Sequence, residues 1–121
     1  MPDSFAYTPV ITSNLSATIA NAASLSNATD ISGTSLVGYI MPAAWTSADI
    51  TLQASVDGTN FYDLYDEFGN EITHNVDASR FIALAPSDLV SVRHIKFRSG
   101  TSAAATNQGA ERVITLVTRA V

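Results

Sequence analysis

The strongest signal along this chain is alternation. Over residues 49–56, DITLQASV, apolar Ile50, Leu52, Ala54 and Val56 interleave with Thr51, Gln53 and Ser55, the period-two pattern of a half-buried β-strand. Residues 35–41, SLVGYIM, form a short apolar run that stops at Pro42, where a strand loses a backbone donor. DGTN at 57–60 supplies the Asp-Gly pair that a tight hairpin turn needs, and FYDLY at 61–65 returns from it. Phe68, Gly69 and Asn70 mark a further turn. EITHNV (71–76), RFIAL (80–84) and VRHIKFR (92–98) read as short strands, the last with Ile95 and Phe97 on its apolar face. RVITLVTR (112–119) closes the series. PSDL at 86–89 suits a single helical turn, and SGTSAAATNQG (99–109) reads as a flexible loop. Nearer the start, Leu15, Ala17 and Ile19 alternate inside a stretch, 13–35, dominated by Ser, Ala, Asn and Thr. Residues 1–14 hold Pro2 and Pro9 and show no period.

About eight short strands, with turn signals every 8–12 residues and no sustained helical period, define an all-β chain. The expectation is a single antiparallel β-sandwich over 15–121, jelly-roll-like, preceded by an extended N-terminal arm over 1–14. The strand pattern alone leaves jelly-roll and immunoglobulin-like orders both open.

The last strand adds a surface. Val113, Thr115 and Val117 lie on one face and Ile114 and Leu116 on the other. A strand apolar on both faces is usually covered on both. A subunit contact would cover it, and so would the N-terminal segment. The expected state is a homo-oligomer, trimer first, with Val113, Thr115, Val117 and the arm residues Phe5 and Tyr7 at the interface.

Composition narrows the classes. Hydrophobic residues make up 46% of the 121 and charged residues 14%, a balance that builds a core and opposes global disorder. The formal charge of −5 argues against nucleic acid, which needs a basic surface. With no cysteine there is no disulfide, thiolate metal site or thiol nucleophile. No apolar run approaches the roughly 20 residues of a membrane helix, and MPDSFAYTPV lacks the positive start and apolar run of a secretory signal. Synthesis in a cytoplasm is expected, with no membrane partner.

Candidate chemistry is sparse. His74 and His94 lack a motif that supplies a nucleophile, and no GxSxG elbow occurs; the chain is expected not to be an enzyme. Asp57, Asp63 and Asp66, with Glu67 and Glu71, offer enough oxygens for calcium, although Asp57-Gly58 and Asn70 also serve as ordinary turn formers. Asp66 and Glu67 are adjacent, so on a strand they face opposite sides and cannot flank one glycosidic bond. Trp45, Tyr62 and Tyr65 are the aromatics that would stack on a sugar ring, set against core packing as the alternative. Arg93, Lys96, Arg98, Arg112 and Arg119 put most of the basic charge in the C-terminal third, too thinly for a nucleic-acid stripe.

Three stretches carry a resemblance. LVGYIMPAAWTSADITLQASVDGTNFYDLYDEFGNEIT (36–73), RFIALAPSDLVSVRHIKFRSGT (80–101) and RVITLVTR (112–119) resemble small virion proteins of tailed bacteriophages and prophages. SVDGTNFYDLYD followed by RHIKFRSGT is also locally similar to discoidin-like jelly-roll domains, which often bind glycans. The first resemblance implies a non-enzymatic capsid decoration or cement protein, bound to a major capsid protein or another virion protein and located in the virion. The alternative is a tail, baseplate or head-fibre module that attaches to host surface glycans. Neither implies a cofactor beyond calcium.

Overall fold

The computed structural model describes residues 11–12 and 15–120. Ten strand segments and one short 3-10 turn, Pro86–Leu89, make up its regular structure. The strands are β1 (Ile11–Thr12), β2 (Ser16–Ile19), β3 (Thr29–Asp30), β4 (Thr34–Ile40), β5 (Ile50–Ser55), β6 (Tyr62–Asp63), β7 (Thr73–His74), β8 (Phe81–Ala83), β9 (His94–Ser99) and β10 (Arg112–Ala120).

They form two antiparallel sheets. In the front sheet β10 is central, with β4 and then β8 on one side and β1 and β2 sharing the other. In the back sheet the order is β3, β9, β5, and then β6 and β7, which both pair with β5. If β1 with β2, and β6 with β7, each count as one interrupted strand, eight strands remain. Successive strands switch sheets at nearly every step, and the sheets read 2-10-4-8 and 3-9-5-6. That order is the jelly roll, with its two Greek keys; the immunoglobulin-like order does not fit.

The strands form where alternation makes one face apolar. Ala17 and Ile19, Ile50 and Leu52, Ile95 and Phe97, and Ile114 and Leu116 are all fully buried between the sheets. Each of the Ile, Leu and Phe side chains among them contributes about 1.5–3 kcal/mol on burial. Tyr39 from β4 meets Phe97 from β9 edge-on, ring centroids 5.0 Å apart, a favoured aromatic geometry.

β4 departs from strict alternation. Leu36 and Tyr39 both face the core although two residues, Val37 and Gly38, lie between them, a spacing that strict alternation would send to opposite faces. The register with β10 shifts between Val117 and Thr118, from Val117 opposite Gly38 to Thr118 opposite Leu36. This bulge inserts one residue and restores the inward aim of both side chains.

Other segments differ from the sequence expectation. β5 ends at Ser55, so Val56 is exposed rather than inward. Ser55 is the last residue in the ladder, opposite His94, and its hydroxyl starts the turn that follows by accepting from the N–H groups of Asp57 and Gly58. Thr51, on the polar face of β5, is wholly buried because Arg98 and Gly100 close over it. The segment 99–109 is folded, not loose. Gly100 bridges to Ala105, Thr106 N–H donates to Ser99 O, and Gln108 is buried. Gly100 has φ +93°, and a Cβ there would lie 2.5 Å from the Ala104 carbonyl oxygen. Of the arm, Ile11–Thr12 pair with Arg119 and Thr118 of β10; Phe5 and Tyr7 lie outside the described residues.

Candidate functional site

The outer face of the front sheet is assembled from four strands. β10 presents Val113, Thr115 and Val117, and β2 sets Thr18 and Ser16 beside the first two. β4 sets Ile40 and Gly38 beside Thr115 and Val117. β8 sets Phe81 beside Ile40 and Ala83 beside Gly38. None of these residues carries a charge. Phe81 is 60% exposed, Val113 45% and Ile40 40%, while Thr115 and Val117 are half-buried. Gly38 is where the face is tightest: a Cβ there would meet the Phe81 ring at 2.7 Å and the Ile82 carbonyl at 2.8 Å. The missing side chain lets the Phe81 ring lie inward across the sheet.

The outer face of the back sheet is polar. Arg98, 8% exposed, reaches across β5 and donates to Asp63, to Glu71 Oε2 at 3.3 Å and to Thr51 Oγ1 at 3.2 Å. Glu71 also accepts from Ser102 N–H. The Arg98 guanidinium holds the Asp63 carboxyl below the usual carboxylate range. Beside this cluster the Lys96 ammonium lies 4.4 Å from the centre of the Phe61 ring, a cation–π contact.

The aspartates expected to hold calcium are occupied separately. Asp57 accepts from the N–H groups of Asn60 and Thr59 and from the Asn60 amide, and these bonds pull its carboxyl far down. Asp66 does the same for Asn70 and Phe68 in the next turn, also with a lowered pKa. Asp63 faces Arg98. Among the described residues no three His, Asp or Glu side chains converge as a metal set.

The aromatic candidates are dispersed. Trp45 is half-buried against the core, and its indole N–H donates to Ala48 O at 3.0 Å. Tyr65 lies 3.4 Å, hydroxyl to hydroxyl, from Ser102. Tyr62 is 70% exposed and lines a cleft of about 230 Å³ with Ala54, Leu64 and Val92. Of the three, Tyr62 alone lines either of the two described clefts. The second cleft, about 820 Å³, opens between the 31–34 turn, exposed Val56 and Val90, and Arg93.

Two interior groups complete the electrostatics. His74 Nδ1 lies 2.8 Å from the Tyr39 hydroxyl. Burial lowers the His74 pKa, with Asp88 opposing, and raises that of Tyr39. Gln108 ties three segments: it accepts from Thr46 N–H and Arg112 Nε, and donates to Thr46 O and Ser99 Oγ.

No family model, curated protein or solved structure matches the chain.

Alternation within β10 was enough to single out Val113, Thr115 and Val117. The contribution of Ile40 and Phe81 depends on register between distant strands, which no local pattern encodes. Arg98 had one signal, a cation directly after a core phenylalanine in an alternating strand. Gln108, in a stretch of small polar residues, had none.

Proposed function

We propose that this protein is a non-enzymatic structural component that works as a homo-oligomer attached to a larger assembly. Its placement would be on the virion of a tailed bacteriophage, as a capsid decoration or cement protein. One observation carries the assembly role: the largely apolar outer face of the front sheet, with Phe81, Ile40 and Val113 exposed together and a charge, Arg119, only at its far end among the described residues of β10. Soluble monomers rarely leave such side chains grouped, and a contiguous apolar patch marks an interaction surface. The placement rests on the sequence resemblance. The jelly roll is compatible with it, being common to viral capsid and lectin domains, but fold does not assign function.

The test is co-sedimentation with capsids assembled without the protein. Saturable pelleting at a fixed copy number per shell subunit is the expected result. Val113→Lys abolishes it while leaving the melting curve within about 0.5 kcal/mol of the parent, as for a surface substitution. Absence of pelleting by the parent chain overturns the capsid placement.

The glycan-attachment reading has its own observation, Tyr62 exposed over a cleft with an apolar floor. Binding on a glycan array that Tyr62→Ala removes, with stability unchanged, would establish it in place of the shell role.

A further inference from the structure

The front sheet ends in two edges, and the protein treats them differently. At β2 the edge is closed from within. Thr18 N–H donates to Asn27 Oδ1 at 2.8 Å, Thr18 O accepts from Asn27 N–H at 3.2 Å, and Ser16 O accepts from the Thr29 hydroxyl at 3.1 Å. At β8 nothing comparable is present among the described residues. Met41 N–H donates to Arg80 O at 2.8 Å and Leu84 N–H to Val37 O at 3.1 Å, with Ile82 opposite Tyr39 between them. In an antiparallel ladder the bonded pairs alternate, so residues 80, 82 and 84 turn their backbone groups toward β4. Phe81 and Ala83 therefore turn theirs away from the sheet.

Natural edge strands are usually guarded by a charge, a proline or a bulge. Phe81–Ala83 has none of these, and it pairs with β4 without a register shift. Phe81 and Ala83 are both exposed. Because the Phe81 ring lies inward over Gly38, it does not screen the backbone on the open side.

We infer that two copies of the chain join edge to edge through β8, about a two-fold axis at Ile82, making one continuous front sheet across the pair. The inference rests on the oligomeric reading above and names its contact. A second copy fits because the register is self-complementary. Antiparallel pairing centred on Ile82 places Phe81 opposite Ala83 of the partner subunit, and the reverse. Both residues have outward backbone groups, so each such pair exchanges both its hydrogen bonds. A large side chain lies beside a small one on each side of the axis. Charge does not oppose the contact: Phe81, Ile82 and Ala83 are uncharged, and the flanking Arg80 falls opposite Leu84 of the partner subunit, so no like charges meet across the axis. The pairing is isologous and closes at two copies.

Sedimentation velocity across a concentration series, with residue-resolved amide exchange, tests this on the full chain. Dimers are expected, with the Phe81 and Ala83 amides protected where dimers form and fast on dilution. Ala83→Pro removes one outward donor and no bond to β4, and raises the dissociation constant about tenfold or more. Ala83→Lys keeps the backbone donor and sets a charge beside the partner's Phe81; it weakens the dimer likewise and decides the matter if the proline variant does not fold. Trimers, or dimers indifferent to both variants with fast exchange at Phe81 and Ala83, overturn the β8 contact and leave the oligomeric reading standing. A monomer at every concentration overturns both.

Discussion

Arg98 joins three segments of the back sheet through a single guanidinium, meeting Thr51 of β5, Asp63 of β6 and Glu71 ahead of β7. Removing it leaves two carboxylates facing each other over a buried threonine. Arg98→Ala is expected to cost about 3 kcal/mol, the low end for breaking a buried ion pair, since Asp63 is partly open to water. Urea denaturation at pH 7 measures it. Asp63 also belongs to a set of aspartates that makes stability depend on pH. Asp30, Asp57, Asp63 and Asp66 all have lowered pKa values in the fold. Near pH 4 the unfolded chain therefore binds more protons than the folded one, so stability falls as the pH drops through the carboxylate range. His74, also lowered, acts in the same direction at higher pH: below about 6.5 the unfolded imidazole protonates first. The urea midpoint is thus expected to decline in two stages on acidification. His74→Gln removes the upper stage and leaves the lower one.

At the scale of elements, Gly38 is the position least tolerant of a methyl group. An added Cβ is opposed by the Ile82 carbonyl as well as the Phe81 ring, so trimming the ring does not make room and β8 must shift. Gly38→Ala is expected to cost about 1–3 kcal/mol as overpacking, and Phe81→Ala in the same chain recovers little of it. Thermal unfolding of the single and double variants distinguishes this from a simple ring clash. β2, β5, β9 and β10 were legible in the sequence because each places its core residues at period two, and β4 because an apolar run stops at Pro42; the bulge that aims both Leu36 and Tyr39 inward was not. β3 was not, because a two-residue strand has no period; Thr29–Asp30 pairs only because the chain must cross to the back sheet beside β9. Residues 99–109 were misleading for a different reason. Small polar residues usually signal a loop, but here the Gly100 carbonyl accepts from the Thr51 hydroxyl and the Gln108 amide donates to Thr46 O and Ser99 Oγ, which fixes the segment. The candidate face was half legible: β10 declares itself, whereas Ile40 and Phe81 join it through register.

For the whole molecule, the contrast between faces matters most. The back sheet surrounds its outer side with ion pairs and turns, while the front sheet leaves its own side mostly apolar, with uncharged residues from Ser16 and Thr18 across to Phe81 and Ala83. Association through the front sheet is therefore expected to strengthen with salt, because screening reduces repulsion between chains of −5 while the neutral contact is unaffected. Sedimentation at about 0.05 and 0.5 M salt checks this against the opposite trend that an ionic interface would give.

β10 follows every other strand in chain order and yet lies in the middle of its sheet, between β2 and β4. During synthesis β2 and β4 emerge long before the strand that separates them, and until residues 112–120 leave the ribosome each presents a bare edge. The front sheet is thus completed by insertion rather than by growth from one side. A ribosome stalled short of Arg112 would hold a chain whose back sheet can pair but whose front sheet has a gap one strand wide. Such a gap accepts any extended apolar segment, including the β10 of another copy, so the order of translation itself exposes this protein to strand exchange between nascent chains on one message.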